Sequence, residues 1–206
     1  MLTIFGRDTS SNVQKVLWLC EELGLPYKNA HAVPPGTAKD SADYLKLNPN
    51  GLIPAIDEDG FVLWESNAIL RYLAAKHADG TLFPADLRLR ADGDRWMDWQ
   101  STVLAPLMAI LLRQCVRTPP EKRDLGLIAA TAAETSAKIA MLDAALAGRD
   151  YIVGKDFTIS DIALGQWMWR YATLVENRPE MPHLAAWYAR LQRRQAYAKI
   201  VMIPLV

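Results

Sequence analysis

The sequence predicts an α/β domain followed by an all-α domain. Strand and helix signals alternate over roughly the first 77 residues, a polar stretch containing Gly80 and Pro84 interrupts them, and only helical periodicities follow. The division falls at residues 1–78, a linker at 79–87 and a helical part at 88–206.

Each element has its own warrant. Leu2–Phe5 is a short apolar strand that stops at Gly6. Asn12–Leu23 reads as a helix, with Val13, Val16, Leu17, Cys20 and Leu23 at helical spacing; Gly24 caps its end and Pro26 lies just beyond. Tyr27–His31 is a weak strand, "AVPPGTAKDS" an irregular loop, and Ala42–Leu47 a short helix. "IPAI" and "FVLW", separated by Asp57-Glu58-Asp59-Gly60, form a hairpin. Glu65–Lys76 is a helix with Ile69, Tyr72 and Leu73 on its apolar face. The order is therefore β-α-β-α-β-β-α.

In the second part, "RWMDWQSTVLAPLMAILLRQCV" reads as one long amphipathic element with a kink expected at Pro106, ended by "TPPEKR". Ile128, Ala132, Thr135, Ile139, Leu142 and Leu146 mark the next helix, and their stripe belongs to the core. Thr158 and Asp161 have the spacing of a capping box flanked by the hydrophobic pair Phe157 and Ile162, a folding signal worth about 1 kcal/mol. "MPHLAAWYARLQRR" is a fourth helix, and the apolar tail "AYAKIVMIPLV" packs back onto the protein.

Composition bounds the function. Hydrophobic residues make up 51% of the 206 residues and charged residues 22%, enough apolar content for a sizeable core. Lys plus Arg and Asp plus Glu each total 23, a balance that argues against nucleic acid or an anionic membrane as the main partner. No apolar run approaches a membrane span, and the N-terminus enters a strand without a secretory signal, so a cytoplasmic location is expected. Cys20 and Cys115 are far apart within apolar helical stretches, which supports neither a disulfide framework nor a metal site.

The turn after the first strand raises the functional question. Thr9-Ser10-Ser11-Asn12 sits between a strand and a helix N-terminus, an arrangement that holds anions or activates nucleophiles. It contains no cysteine and no glycine-rich phosphate loop. Taken alone, Ser10 or Ser11 is also a good helix cap.

Four separated stretches decide the matter. "LNPNGLIPAI", "WESNAILRYLA", "FTISDIAL" and "VMIPL", in this order behind a β-α-β-α-β-β-α domain, resemble the cytosolic glutathione transferase family over the whole chain. The resemblance implies a thioredoxin-like N-terminal domain and a helical C-terminal domain that contributes the electrophile site. It implies that Ser10 donates a hydrogen bond to the glutathione sulfur, with Asn12 beside it and Ser11 and Thr9 as alternatives. Lacking a Cys-x-x-Cys pair at the turn, the chain cannot run a dithiol cycle of its own. By the same resemblance Glu65 meets the γ-glutamyl ammonium, Ser66 its carboxylate, and Ile53, before a cis Pro54, the cysteinyl backbone. Leu52 stands where many members carry Lys or Gln, so Lys39, or failing it Arg7, is the partner expected for the glycyl carboxylate.

The chemistry needs a thiolate. A free thiol has a pKa near 8.5 and is only a few per cent ionised at pH 7. Lowering it by about 2 units makes the thiolate dominant, which takes roughly 2.7 kcal/mol of differential interaction. The expected activity is conjugation of glutathione, as co-substrate, to a small hydrophobic electrophile, in a homodimer, with no metal. Glutathione-dependent disulfide reductase or peroxidase activity is one alternative, and a non-enzymatic binding or assembly role another. Trp96, Trp99, Met108, Leu112 and Cys115 border the expected electrophile site, a core role being the commoner use of such residues. Trp167 and Trp169, two apart on a helix, cannot both face the core.

Overall fold

The computed structural model describes residues 1–30 and 41–206. Strands β1 (Leu2–Phe5), β2 (Tyr27–Ala30), β3 (Ala55–Glu58) and β4 (Phe61–Trp64) form one mixed sheet in the order β2-β1-β3-β4. β1 and β2 are parallel, and α1 (Ser11–Leu23) supplies the crossover that such a pair requires. β3 is antiparallel to β1 and β4, with Ile4 opposite Ile56 and Ile56 opposite Leu63.

Strand alternation separates two faces. Leu2, Ile4 and Ile56 join the main core with α1 and α3 (Ser66–His77), whereas Phe5 and Ala55 meet Tyr44 and Leu47 of α2 (Ala42–Leu47) in a smaller cluster. The hairpin loop is tighter than the sequence suggests. Asp57 and Glu58 continue β3 opposite Val62 and Phe61, leaving Asp59 (φ 52°) and Gly60 (φ 91°) as a two-residue turn with both φ positive.

Every residue of α1 from Val13 to Cys20 is buried. The helix is enclosed by the sheet, α3, α7 (Ile159–Leu174) and α9 (Gln195–Ile200), so it joins the two parts of the molecule. Its end is closed by Gly24 at φ 60°, with Leu25 N–H bonded to Cys20 O at 2.9 Å. α7 runs through the centre of the helical domain and approaches its neighbours closely. A Cβ on Gly165 would lie 2.6 Å from Leu191 of α8 (Pro182–Gln192) and 3.1 Å from Trp18 of α1.

Residues 87–117 are not one helix. α4 (Leu87–Trp99) and α5 (Ala105–Leu112) are separated by a π-helical turn at Gln100–Leu104, and a second π turn follows at Arg113–Arg117. In the first, Ala105 N–H bonds to the Gln100 carbonyl, five residues back. The irregularity expected at Pro106 thus lies one turn ahead of it, where the missing proline N–H breaks the i→i−4 ladder. Asp86 and Asp124 cap α4 and α6 (Leu125–Ala145), accepting from Leu89 N–H at 3.0 Å and Leu127 N–H at 2.9 Å.

α6 corrects one expectation: at 21 residues it is long and apolar enough to cross a membrane by length and composition. Alanine on its outer face raises its hydropathy; Thr135, Ile139 and Leu142 form its buried side. At the start of α7, Asp161 organises the cap. Its carboxylate accepts from Thr158 N–H (2.8 Å), Thr158 Oγ1–H (3.1 Å), Ile152 N–H (3.0 Å) and Trp187 Nε1–H (2.8 Å). The C-terminal tail does fold back: Tyr197 and Val201 are fully buried. Trp167 faces the core, and Trp169 covers the tail, donating Nε1–H to Ile203 O at 2.9 Å.

Candidate active site at the start of the first helix

Gly6 shapes the turn after β1. It adopts φ 149°, and a Cβ there would lie 2.5 Å from Val13 Cγ2 and 3.2 Å from Ile53 Cβ. Only glycine lets the turn, the first turn of α1 and the Ile53–Pro54 segment meet so closely. The Ile53–Pro54 peptide is cis. Tyr44 Oη–H (2.6 Å) and Asn48 Nδ2–H (2.7 Å) both donate to Leu52 O just ahead of it. Leu52 itself is exposed, and the Ile53 backbone N–H and C=O have no partner among the described residues.

Ser10 stands at the N-cap of α1, with φ −75° and ψ 127°, yet its side chain makes no capping bond. Its carbonyl accepts from Gln14 N–H at 2.9 Å in the first regular helical bond, and the partly exposed hydroxyl stays uncommitted. Ser11 is already the first helical residue. Asn12 Oδ1 accepts from Ser66 Oγ at 3.4 Å, which ties α1 to the N-terminus of α3. Ser66 is buried as the first residue of α3. Glu65 precedes it at φ 72°, an unusual backbone for a non-glycine residue and one found at ligand sites. Its exposed carboxylate makes no capping bond. Asn12 touches Ser66, Glu65 adjoins Ser66 in sequence, and Ile53 meets the turn at Gly6, so these residues, with Ser10 at the head of α1, border a candidate groove beside two helix N-termini and their partial positive charge. Lys39 lies outside the described residues.

Two cations hold this groove, and the sequence reading missed both. Lys15, fully buried one turn into α1, donates to Gln100 Oε1 (2.6 Å), Asn67 Oδ1 (3.1 Å) and Ser66 Oγ (3.3 Å). Burial holds its ammonium down to about 7, with Glu65 opposing the shift and Arg71 adding to it. Arg170, buried on α7, donates to Thr9 O (3.3 Å), Gln14 Oε1 (2.8 Å) and Gln166 O (3.1 Å). Burial brings it down to about 10, and Arg117 adds to the effect. Arg7, in the turn, is also lowered, first by burial and then by Arg117. Arg117 thus acts through space on both Arg7 in the turn and Arg170 beside it.

The chain's own sulfurs are silent. Cys20 is buried and its thiol is pushed up to about 12; Cys115 is raised as well, chiefly by burial. Among the described residues no group of His, Cys, Asp and Glu could hold a metal ion. Of the expected electrophile neighbours, Met108 is fully buried and Trp96 and Leu112 nearly so, as core residues; Trp99 and Cys115 are partly exposed.

Residues 9–76 match the family model for the glutathione S-transferase N-terminal domain, and residues 104–195 that for the C-terminal domain. The chain is 41% identical over 207 residues to glutathione S-transferase GstB of Escherichia coli K12, covering all of both chains. It is 31% identical over 216 residues to glutathione S-transferase 3 of Zea mays, covering 99% of this chain and 95% of the other. In structure it is similar to the theta class glutathione S-transferase of Xanthomonas axonopodis pv. citri with glutathione bound, with a TM-score of 0.94 at 44% identity and coverage of 100% and 99%. With both domain models matched and a full-length relative at 41% identity, the chain belongs to the glutathione S-transferase family.

Proposed function

We propose that the groove binds glutathione along the cis Ile53–Pro54 edge and that Ser10 holds its sulfur as a thiolate. The uncommitted Ser10 hydroxyl carries this reading, because a serine serving only as a cap would spend its side chain on α1. Asn12 stands beside it as a second amide contact. Ser66 receives the γ-glutamyl carboxylate through its hydroxyl and N–H, Glu65 receives the ammonium, and the Ile53 backbone pairs with the cysteinyl unit like an added strand. Lys39 is the proposed partner of the glycyl carboxylate.

As a glutathione transferase the protein joins this thiolate to a small hydrophobic electrophile. The sulfur forms a thioether bond to the electrophilic carbon, and the displaced electron pair leaves with the departing group or passes to the opened ring or double bond. Residues 1–78 would supply the glutathione site and residues 88–206, beyond a linker at 79–87, the electrophile site. We further propose a cytoplasmic homodimer with a detoxifying role, using neither a metal nor nucleic acid or membrane as partner.

The test is a pH titration of thiolate absorbance for bound glutathione in the wild type and in Ser10→Ala. Ionisation well below the free value, largely reversed by Ser10→Ala, supports the role. Binding without a Ser10-dependent shift moves it to Asn12, Ser11 or the backbone. Absence of binding favours a non-enzymatic role, and turnover of mixed disulfides but not electrophiles favours the reductase.

A further inference from the structure

Lys15 is the least explained charge in the molecule. Its ammonium is fully enclosed and no carboxylate lies within salt-bridge distance among the described residues. Its partners are three neutral oxygens: Ser66 Oγ at 3.3 Å, Asn67 Oδ1 at 3.1 Å and Gln100 Oε1 at 2.6 Å. An ammonium has three N–H bonds, so these acceptors match the charged form donor for acceptor; a neutral amine would leave one oxygen facing a lone pair. The packing asks for a charge that the burial disfavours.

The position of Ser66 resolves this. Its oxygen accepts from Lys15 at 3.3 Å, and its O–H proton goes to Asn12 Oδ1 only at 3.4 Å, a long bond that an incoming carboxylate can take over. We infer that Lys15 is a positioning residue for the γ-glutamyl carboxylate of glutathione, acting through Ser66, and that carboxylate docking is coupled to proton uptake by Lys15. The inference rests on the glutathione reading above. It makes Lys15 the counter-charge of that carboxylate.

The electrostatics give the sign. In the free protein the ammonium is held down to about 7, chiefly by desolvation. The charged groups facing it are few. Glu65, at the head of α3, favours the ammonium through space, and Arg71, further along α3, opposes it. Arg71 is itself paired across the domain boundary with Asp94 and Asp98 of α4. The π turn presents only the neutral Gln100, and α7 presents Arg170, which is turned to Gln14 and Thr9. A carboxylate arriving on Ser66 adds a negative charge one hydrogen bond away from the ammonium, and so raises its proton affinity. Above neutrality binding then takes up a proton, and affinity falls as pH rises.

The experiment uses S-methylglutathione, whose sulfur cannot ionise, so that the thiol contributes nothing to the pH dependence. Binding is measured by calorimetry between pH 6 and 8, which brackets the free value of about 7, in buffers of different ionisation enthalpy. For a one-unit rise on binding, affinity falls about fivefold across that range, with uptake of a fraction of a proton. Lys15→Met abolishes the uptake and flattens the profile. Wild-type binding without uptake, or uptake that persists in Lys15→Met, overturns the inference while leaving the glutathione site standing. No wild-type binding at any pH overturns the glutathione reading, and the inference with it. If Lys15→Met fails to fold, the wild-type proton count decides alone.

Discussion

Arg170 reaches from the middle of α7 to the carbonyl oxygen of Thr9, 161 residues earlier in the chain, at 3.3 Å. A helix of the second domain thereby grips the backbone of the turn from which Ser10 projects. The same guanidinium binds Gln14 in the first turns of α1, so turn and helix are fixed by one side chain.

Arg170→Met removes the donor from Thr9, Gln14 and Gln166 at once. Buried acceptors left without partners predict a loss of about 2–4 kcal/mol in urea unfolding. If Ser10 holds the sulfur as proposed, the pKa of bound glutathione should also rise, because a cation on the neighbouring Thr9 has gone. A variant with unchanged sulfur ionisation would show that Arg170 only holds the fold.

Gly6→Ala brings a methyl group within 2.5 Å of Val13 Cγ2 at a φ of 149°. Overpacking and strained backbone together predict about 2–4 kcal/mol of destabilisation. Val13→Ala in the same chain should recover part of it, since the clash disappears. Strict additivity of the two substitutions in thermal unfolding would show that the close approach is not what requires glycine.

Asp161→Asn puts an amide where four donors converge. The NH2 faces N–H or O–H groups, so at neutral pH we expect about 3 kcal/mol lower stability. Glutathione affinity should be unchanged in the folded fraction, because Asp161 holds α7 and α8 and does not touch the groove. A selective loss of affinity at unchanged stability would contradict this.

Lys15 also ties stability of the unliganded protein to pH. Its value falls from 10.5 in the unfolded chain to about 7 in the fold. Between these limits the unfolded state binds the extra proton, so the Lys15 contribution to stability grows as pH rises from 7 toward 10.5. Wild type should gain on Lys15→Met by up to about 1.4 kcal/mol per pH unit in that window. Denaturant midpoints at pH 7 and pH 9 measure it; parallel stabilities would mean that Lys15 titrates normally.

How much of this the residues disclose depends on whether a signal is local. Gly24 ends α1 and Thr158 with Asp161 begins α7 where turn chemistry puts them, because a cap is decided within four residues. Ala42–Leu47 and the hairpin are legible for the same reason. Pro106 announces an irregularity in its helix, but not its form as a π turn at Gln100–Leu104, whose Gln100 and Ser101 side chains meet Lys15 and Asn67, far away in sequence. In the groove, Ser10, Glu65 and Ser66 sit in recognisable motifs. Lys15 and Arg170 do not, because an isolated basic residue on a helix is ordinarily a solvated one. Only the fold reveals that both are interior.

The raised thiols of Cys20 and Cys115 have a consequence for durability. An enzyme that handles alkylating compounds with a cysteine of its own would be consumed whenever product failed to detach. Here Cys20 is sealed and held near 12, and Cys115 is raised too, while the groove borrows its nucleophile from solution. Each alkylation then ends as a diffusible molecule, and the catalyst is ready for a fresh tripeptide.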